Sequence, residues 1–420
     1  MTERLVLDVE RLTFGFDALA HHDGEVVFLP YAAPGDRVTA SVVARHRGYL
    51  RAEVDAVEHP GPGRVLPGCA FFPRCGGCQW QHVAPSAQRD AKAAIVAEQL
   101  ARLAGLRDVE VLPTIASPHD WGYRGRVTLV VEGRRAGYHR ARSHALVEIT
   151  GCPIADPAVS AHLDAAREWL GELRVPLRRV TILAVPGGVV LAGLAARRPG
   201  APDHAASEAL LARRATVRGA VLAGAGERLV AGDPTVRLPL EAGLDLEVPA
   251  DVFTQVNPAA NPDLVATVLA LGRFARGERV LDLYCGAGNF TLPLARREIA
   301  VEGIERDGLA IATARENAAR LGLRHATFRA TTVAAALATL APDTIDALIL
   351  DPPRAGAADV VADMARLRPR RVIYVACDPS TLARDVRAFA THGLCVVRVQ
   401  PIDLFPQTFH VETVAELHLT

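Results

Sequence analysis

Short apolar segments alternate with helical ones from residue 279 to the C-terminus, and this alternation limits the fold more than any other feature of the chain. The predicted strands here are residues 279–284, 300–305, 347–350 and 371–376, and the predicted helices include residues 309–321 and 381–389. Strands joined by helices predict a doubly wound, mainly parallel sheet. Two last strands, residues 395–399 and 411–417, have no helix between them and predict an antiparallel pair.

The first of these strands runs into a glycine turn, residues 284–290, with the sequence YCGAGNF. Such a turn places backbone N–H groups and the positive end of a helix dipole against an anionic ligand. The third glycine that dinucleotide-binding proteins use is missing, which favours a smaller anion such as the carboxylate of S-adenosylmethionine. Glu305 ends the next strand, where an acid can accept hydrogen bonds from ribose hydroxyls. With the turn at residues 351–354, these features indicate a methyltransferase; another nucleotide-binding α/β protein is the alternative.

The N-terminal region has the pattern of a small β-barrel. Its predicted strands are residues 5–9, 25–29, 37–43 and 49–57, separated by turn residues. The segment 45–51 is basic with an embedded tyrosine, as an RNA-facing hairpin or a solvated strand edge would be. Residues 60–63, Pro-Gly-Pro-Gly, predict a linker, and residues 86–103 have helical periodicity.

Residues 109–248 predict a mixed, β-rich middle region with the strongest local basic patch in the chain. Within residues 121–147 the basic and aromatic residues are Arg124, Arg126, Arg134, Arg135, Arg140 and Arg142, with Trp121, Tyr123 and Tyr138. Stacking aromatics beside phosphate-binding arginines are typical of a surface for single-stranded nucleic acid. An ordinary charged sheet face is the alternative.

The charge balance constrains how any nucleic acid would be held. Lys and Arg number 47, as do Asp and Glu, so the net charge is zero and RNA would need local patches. Lys92 is the only lysine; the dominance of arginine suits phosphate contacts or reflects a genome rich in G and C. No uninterrupted apolar run of about 18 residues is present. We therefore expect a cytoplasmic protein without membrane contact.

Four of the seven cysteines form a candidate metal site. Cys69, Cys75 and Cys78 lie on a glycine-rich loop, and Cys152 comes far along the chain. An odd number of cysteines in a chain of this kind argues against a disulfide framework. Four thiolates can surround a tetrahedral metal, most commonly zinc, or a cubane iron–sulfur cluster. The residues alone leave both possibilities open, and four unliganded core cysteines are a weaker third.

Three C-terminal motifs resemble those of the RNA uracil-5 methyltransferases. They are residues 351–356 (DPPRAG), 376–385 (ACDPSTLARD) and 405–412 (FPQTFHVE). Residues 253–257 resemble the segment that leads into the catalytic domain of that family, and the N-terminal barrel resembles its TRAM domain. The resemblance covers essentially the whole chain. It implies an α/β, Rossmann-like class I methyltransferase domain at 251–420, a TRAM-like barrel at 1–60 and a central mixed α/β domain at 61–250. The helix at 86–105 is expected to pack on the catalytic domain.

The resemblance also implies roles for individual residues. Cys377 is the implied nucleophile and Glu412 the implied base. The implied contacts to S-adenosylmethionine are Gln255, Tyr284, Gly286, Asn289, Glu305 and Asp351. Two positions depart from the family pattern. Asp378 stands where relatives usually have Asn, and a carboxylate next to the nucleophile tends to raise its pKa. The adenine-contacting position falls near Thr331 or Thr332, where an amide or acid is commoner.

The spacing Cys-x5-Cys-Gly-Gly-Cys-x-x-Gln-His, which ends at Gln81 and His82, resembles the 4Fe-4S loop of the cluster-bearing branch of the family. It implies a 4Fe-4S cluster on Cys69, Cys75, Cys78 and Cys152, with a role in shaping the RNA-binding surface.

The implied activity is S-adenosylmethionine-dependent methylation of uracil carbon 5, with 23S rRNA favoured as substrate, tRNA as the main alternative, and a monomeric enzyme. A non-catalytic iron–sulfur RNA-binding or folding protein is the alternative from another class, disfavoured by the presence of Cys377 and Glu412. An iron–sulfur electron carrier is weaker still, because the cofactor loop is intact.

Overall fold

The N-terminal barrel is the first of three sheet-based parts in the structure, a computed structural model that describes residues 3–419. Its strands are β1 (Arg4–Asp8), β2 (Arg11–Leu12), β3 (Asp17–His22), β4 (Glu25–Pro30), β5 (Arg37–His46) and β6 (Tyr49–His59). They pair in the order β1-β5-β6-β4-β3-β2. Residues of β1 alternate between buried and exposed, as expected for a sheet with one solvent-exposed face. The core of this sheet is closed by Trp80, Val83 and Ile95, which lie beyond the barrel in sequence.

The predicted linker is tightly packed against the barrel. A Cβ atom on Gly61 would lie 2.3 Å from the carbonyl oxygen of Pro34, so only glycine fits. The buried carboxylate of Asp36 accepts hydrogen bonds from Gly61 N, at 2.8 Å, and from Arg64 Nη1, at 2.5 Å. Residues 60–64 are therefore fixed to the barrel instead of forming a flexible linker.

The helix α1 (Pro85–Gln99) joins the barrel to the C-terminal part of the chain. Proline occupies the start of this helix, where its missing N–H costs no hydrogen bond. The helix continues as a π-helical turn, Leu100–Ala104, and ends at Gly105 with φ +75°. Val96 and Leu100 enter the core of the C-terminal sheet, as predicted for this helix. The short strand β7 (Glu110–Val111) then adds to the edge of that sheet.

The central part is a seven-stranded sheet with three helices. Its elements are β8 (Arg126–Glu132), β9 (Arg135–His139), β10 (Leu146–Val147), α2 (Pro157–Ala161), α3 (Leu163–Glu172), β11 (Leu177–Val185), β12 (Gly188–Ala195), α4 (Ala201–Arg213), β13 (Val217–Gly224) and β14 (Glu227–Gly232). The strands pair in the order β10-β9-β8-β11-β12-β13-β14. A separate hairpin comes next, β15 (Thr235–Glu241) and β16 (Leu244–Pro249), and shares a core with residues of the C-terminal part.

The C-terminal part contains the alternating pattern that the sequence predicted. Its elements are α5 (Asn261–Gly272), β17 (Arg279–Leu283), α6 (Thr291–Arg296), β18 (Ala300–Glu305), α7 (Gly308–Arg320), β19 (Ala326–Ala330), α8 (Val333–Ala338), β20 (Ala347–Leu350), α9 (Val361–Arg366), β21 (Arg371–Ala376), α10 (Pro379–Ala390), β22 (Leu394–Ile402) and β23 (Glu412–Leu419). A 3-10 turn, Ala358–Val360, precedes α9.

The strand order of this sheet is β19-β18-β17-β20-β21-β23-β22-β7. The first five strands are parallel, and β23 lies between β21 and β22 and pairs antiparallel with both. The doubly wound sheet with a terminal antiparallel pair is thus confirmed. Strand order reverses between β17 and β20, and ligands of such folds bind at the carboxyl ends of the strands there. In residues 3–419 no helix is both long and apolar enough to cross a membrane.

Candidate functional site

Three of the predicted cofactor residues lie in one row at the carboxyl edge of the sheet. Leu283 pairs with both Ile304 and Leu350, so the residues that follow these three paired positions are neighbours. Those residues are Tyr284, Glu305 and Asp351. Strand register alone therefore gathers side chains that are far apart in sequence.

The glycine turn after β17 needs backbone conformations that other residues avoid. Gly286 has φ +55° and Gly288 has φ +100°, and Tyr284 adopts φ +62° despite its side chain. A Cβ on Gly288 would lie 3.1 Å from Leu292, whereas one on Gly286 would meet no atom within 4 Å. Gly286 thus opens the turn to the space beside the sheet, where a ligand can approach the backbone.

Two buried polar atoms beside this turn bond to no group in the described part of the chain. They are Nδ2 of Asn289 and Oδ1 of Asp282. The other oxygen of Asp282 accepts a hydrogen bond from Thr291 Oγ1 at 2.5 Å, and burial raises the pKa of Asp282 to about 7. An unsatisfied donor and acceptor fit a ligand with a carboxylate and an ammonium group, as S-adenosylmethionine has. No role was predicted for Asp282, because a single polar residue in an apolar strand does not by itself indicate a binding site.

Local hydrogen bonds orient Glu305 and Thr332, whereas the side chain of Gln255 has no such partner in the part of the chain that the structure describes. Glu305 Oε1 accepts hydrogen bonds from the backbone N–H groups of Arg306 and Asp307, at 2.7 and 2.9 Å, which orients its carboxylate. Gln255 is half-buried in the segment before α5, and its side chain makes no hydrogen bond within residues 3–419. The hydroxyl of Thr332 caps α8 by accepting from Ala335 N, so this side chain is already engaged.

The predicted nucleophile and base face each other across two antiparallel strands. Ala376, the last residue of β21, pairs with Thr413, the second residue of β23. The Thr413 hydroxyl also donates to the carbonyl oxygen of Ala376 at 2.8 Å. Cys377 follows Ala376 and Glu412 precedes Thr413, so the two side chains start from adjoining strand ends. The charge of Glu412 acts on the thiol of Cys377, as expected for near neighbours.

Burial and nearby negative charges together favour the protonated forms of Cys377 and Glu412. Burial raises the pKa of Cys377 to about 12, and the charges of Glu412, Asp351 and Asp378 add to the effect. The pKa of Glu412 is also raised, by burial and by Asp351, and that of Asp351 is raised to about 7 by burial and by Asp282. The guanidinium of Arg354 acts in the opposite direction on the pKa of both Cys377 and Glu412. Arg354 lies within the DPPRAG motif but had no predicted role.

Asp378 has a structural function that limits its effect on the nucleophile. Its Oδ1 accepts hydrogen bonds from Ser380 N and Thr381 N, at 2.9 and 3.0 Å, and so caps α10. Among the charges that raise the pKa of Cys377, that of Asp378 ranks last. A carboxylate in place of the family's usual amide is therefore compatible with the predicted nucleophile.

The turn that carries Asp351 and Arg354 is fixed by α10, the helix that comes after Cys377. Asp385 Oδ2 accepts from Tyr374 Oη at 2.6 Å and from Ala357 N at 2.7 Å. Arg384 Nη2 donates to the carbonyl oxygen of Ala355 at 2.6 Å. Because one helix binds both loops, the positions of Arg354 and Cys377 are coupled.

The four predicted metal-binding cysteines line one cavity of about 230 Å³. Arg124, Tyr138, Arg354 and His410 also border it, so the cavity adjoins the residues around Glu412. Within residues 3–419, no group of three or more His, Cys, Asp or Glu side chains converges to hold a single metal ion. Burial raises the pKa of Cys75 to about 11 and of Cys78 to about 12, and also raises that of Cys152. Metal binding here would therefore release protons.

Of the two glycines between Cys75 and Cys78, Gly76 is required by a close approach to the hairpin β9–β10, whereas Gly77 has room for a Cβ. Gly76 N donates to the carbonyl oxygen of His139 at 2.9 Å, and a Cβ on Gly76 would lie 2.8 Å from that oxygen. A Cβ on Gly77 would lie 3.5 Å from Cys75 Sγ. The absence of a side chain at Gly76 thus lets the loop pack directly against the backbone of β9.

The basic patch predicted for residues 121–147 is divided in the structure, so its interpretation as one stacking surface is corrected. Tyr123 is buried, and its hydroxyl donates to the carbonyl oxygen of Pro406 at 2.9 Å. Tyr138 and Arg124 border the cysteine cavity. Only Trp121 of the three aromatic residues is exposed. Sequence spacing could not show this, because tertiary contacts decide which face of each residue is covered.

Three arginines of this region, the exposed Arg135 and Arg142 and the half-buried Arg126, bond to other groups of the protein. Arg135 pairs with Glu148, and Arg142 pairs with Asp17 of the barrel. Arg126 donates to the carbonyl oxygen of Val252 at 2.7 Å. These three arginines therefore have structural partners, whereas the exposed side chains of Arg134 and Arg140 form no ion pair in the part of the chain that the structure describes.

Two family models match the chain. Residues 242–419 match the tRNA (Uracil-5-)-methyltransferase family, and residues 3–54 match the TRAM domain. A solved structure, the tRNA (uracil-54, C5)-methyltransferase of Pyrococcus abyssi in complex with S-adenosyl-L-homocysteine, superposes with a TM-score of 0.73 at 24% identity. The match covers 99% of this chain and 100% of that one. It confirms the fold, a class I methyltransferase with an N-terminal TRAM domain.

Curated relatives share more of the sequence. The 23S rRNA (uracil(1939)-C(5))-methyltransferase RlmD of Thiobacillus denitrificans is 36% identical, with 98% of each chain covered. The protein of the same name from Alkalilimnicola ehrlichii is 37% identical over 94% of this chain and 92% of its own. These similarities show that the chain belongs to the RNA uracil-5 methyltransferase family, enzymes that use S-adenosylmethionine.

Proposed function

We propose that this enzyme methylates carbon 5 of a uridine in 23S rRNA, with Cys377 as nucleophile and Glu412 as base. The observation that carries the proposal is the pairing of Ala376 with Thr413, which brings the end of β21, just before Cys377, beside the start of β23 at Glu412. The relatives named for 23S rRNA match nearly the whole chain, which favours that substrate. Transfer RNA is the second candidate, since the solved relative is named for it.

The chemistry of uracil explains why a thiol is needed. Carbon 5 of uracil is too weak a nucleophile to attack a sulfonium methyl group. Addition of the Cys377 thiolate to carbon 6 forms a C–S bond and moves charge to carbon 5 as an enolate. The target base must leave its stack to expose carbon 6, as in other enzymes that act on bases. S-adenosylmethionine supplies the methyl group that carbon 5 then takes.

Glu412 completes the reaction in this proposal. After methylation, carbon 5 carries both a hydrogen and the methyl group. Glu412 takes that proton, the electron pair re-forms the C5–C6 double bond, and Cys377 leaves as thiolate. Burial and Asp351 raise the pKa of Glu412, which makes its ionised form a stronger base than an exposed carboxylate.

The cofactor is proposed to lie at the turn after β17. In this proposal Asp282 and Asn289 hold the amino-acid end, because their unsatisfied polar atoms are of complementary type. Glu305 holds the ribose, and Tyr284, Gly286 and Asp351 border the reacting methyl group at the sheet edge. Gln255 reaches the same space from the segment before α5. Thr331 and Thr332 are left without a role.

The four cysteines are proposed to hold a 4Fe-4S cluster. Thiolates are the donors that such clusters require, and the four side chains line one cavity. The cluster would supply rigid cross-links between the loop at 69–78 and Cys152. Its proposed effect is to shape the RNA-binding side of the active site, since methyl transfer needs no redox step.

We also propose a division into residues 1–60, 61–250 and 251–420, and a monomeric enzyme that acts in the cytoplasm where ribosomes assemble. A non-catalytic RNA-binding protein is disfavoured because Cys377 and Glu412 are both present and opposed.

The substrate can be identified by mapping 5-methyluridine in cells with and without the gene. We expect one 5-methyluridine of 23S rRNA to disappear on deletion and to return with the wild-type gene but not with Cys377→Ala. A loss confined to tRNA would assign the enzyme to the second candidate substrate.

Substitutions of Cys377 and Glu412 should block the reaction at two different steps. Cys377→Ala removes the nucleophile, so we expect neither methylation nor a covalent complex. Glu412→Gln should transfer one methyl group and then remain linked to the RNA, because elimination needs a base; the complex is measured as a band on denaturing gels. Normal turnover by Glu412→Gln, or an adduct formed by Cys377→Ala, would overturn the assignment.

Arg354 should control the ionisation of the nucleophile. Removing its charge in Arg354→Gln should raise the pKa of Cys377, and the thiolate fraction at a fixed pH below that pKa falls about tenfold per unit of increase. The rate of iodoacetamide labelling of Cys377 in RNA-free enzyme, followed by mass spectrometry against pH, measures this. Arg354→Lys is the matched control and should keep a rate near that of the wild type. Equal rates for wild type and Arg354→Gln would show that Arg354 does not act on the thiol.

The cluster predicts colour and metal content. Protein purified without oxygen should be brown and contain iron and sulfide, and Cys78→Ser should lose both. The exposed Cys395 provides a control, since Cys395→Ser should retain them. Stoichiometric zinc without iron in the wild-type protein would contradict the 4Fe-4S proposal.

A further inference from the structure

The loop between β22 and β23, residues 403–408, precedes Glu412 and takes most of its hydrogen bonds from outside the C-terminal part. Lys92 Nζ donates to the carbonyl oxygen of Phe405 at 3.1 Å, and Tyr123 Oη donates to that of Pro406 at 2.9 Å. The carbonyl oxygen of Gln407 accepts from the backbone N–H groups of Gln79 and Trp80, at 3.1 and 3.0 Å. Three successive carbonyl groups are therefore held by the helix α1, the central part and the segment just after Cys78.

Lys92 also forms a buried ion pair with the first residue of this loop. Its Nζ lies 2.5 Å from Oδ1 of Asp403, and both side chains are almost fully buried, at 0% and 1% exposure. The ammonium also lies 5.9 Å from the ring centre of Trp80. Every other basic side chain among the 47 is arginine, yet this position has the compact, tetrahedral donor that fits between a carboxylate and a carbonyl group.

Gln407 has a backbone conformation that needs external support. Its φ of +70° is unfavourable for a residue with a side chain. Gln88, one helical turn before Lys92 on α1, makes a reciprocal pair with it: Gln88 Oε1 accepts from Gln407 N at 2.8 Å, and Gln88 Nε2 donates to Gln407 Oε1 at 3.0 Å. Both side chains are buried. The turn at Gln407 is thus imposed by α1.

We propose that Gln88 and Lys92 are positioning residues for the elimination step: they fix the 403–408 loop and, through it, the placement of Glu412. In this proposal they contact neither the uracil ring nor the cofactor, and they act only through the loop. The proposal deepens the proposed function, because it assumes that Glu412 removes the proton from carbon 5. A misplaced base slows the release of the RNA-linked enzyme but leaves the binding of RNA and S-adenosylmethionine unchanged.

The test uses full-length, cluster-containing enzyme and 23S rRNA from cells that lack the gene. In Lys92→Met and Gln88→Met, kcat should fall roughly ten- to a hundredfold, as for a reacting group displaced by about 1 Å. KM for RNA should stay near the wild-type value. The fraction of enzyme covalently linked to RNA during turnover should rise above the wild-type level on denaturing gels.

A matched control separates positioning from lost stability. Arg371 forms a largely buried pair with Glu278, at 2.5 Å, at the start of β21 and hence at the opposite edge of the same sheet. Arg371→Met should lower the melting temperature without accumulating adduct. If Lys92→Met does not fold, Lys92→Met with Asp403→Leu removes both buried charges together, which such sites commonly tolerate; it should accumulate adduct as well.

Glu412→Gln is measured in the same assay. It shows whether a failed prediction is due to the role assigned to Glu412 or to the role assigned to Gln88 and Lys92. If Glu412→Gln accumulates no adduct, the assignment of the base is wrong, and the proposal for α1 is overturned with it. If Glu412→Gln accumulates adduct while the Gln88 and Lys92 variants turn over normally, or lose activity without adduct, only the proposal for α1 is overturned.

Discussion

The antiparallel insertion of β23 between β21 and β22 is the constraint on which the active site depends. In a purely parallel sheet, every strand presents its last residue at the ligand-binding edge. An antiparallel strand presents its first residue there, so Glu412 enters the sheet where Cys377 leaves it. A slip of one residue would turn Glu412 to the other face of the sheet, since side chains alternate. Thr413 resists such a slip, because its buried hydroxyl is bonded to the carbonyl oxygen of Ala376.

The same sheet edge brings several carboxyl groups together, and this contributes to the raised pKa values of Cys377 and Glu412. Asp282, Asp351 and Glu412 are buried or half-buried within one region, and each disfavours the ionised form of its neighbours. Arg354 is exposed, and it is the charge that lowers the pKa of both Cys377 and Glu412. The ease of forming the thiolate therefore depends on a residue whose loop is fixed by Asp385 and Arg384, behind the site.

Periodicity predicted the C-terminal sheet well because the signal is local. The strands at 300–305 and 371–376 were predicted with the observed bounds, and the terminal antiparallel pair was inferred from the missing helix. The motifs indicated the candidate residues, and the pairing of Ala376 with Thr413 then brought Cys377 and Glu412 to adjoining strand ends. What the sequence could not show depends on tertiary contacts. Tyr123 was expected to stack on RNA but is buried against Pro406, and the expected linker at 60–63 is clamped by Asp36.

The contacts of the 403–408 loop imply that the C-terminal half is not a self-sufficient catalytic unit. The carbonyl oxygen of Pro406 accepts from Tyr123, and that of Gln407 accepts from the N–H groups of Gln79 and Trp80. The N–H group of Gln407 donates to Gln88 Oε1. A buried backbone group left without a partner costs about 1–3 kcal/mol, so losing all three costs roughly 3–9 kcal/mol. That is comparable with the whole stability of a typical domain, about 5–15 kcal/mol. Without these partners the loop would rearrange towards water, and Glu412 would lose its position opposite Cys377. The parts of the chain proposed to bind RNA and the cluster thus also complete the active site.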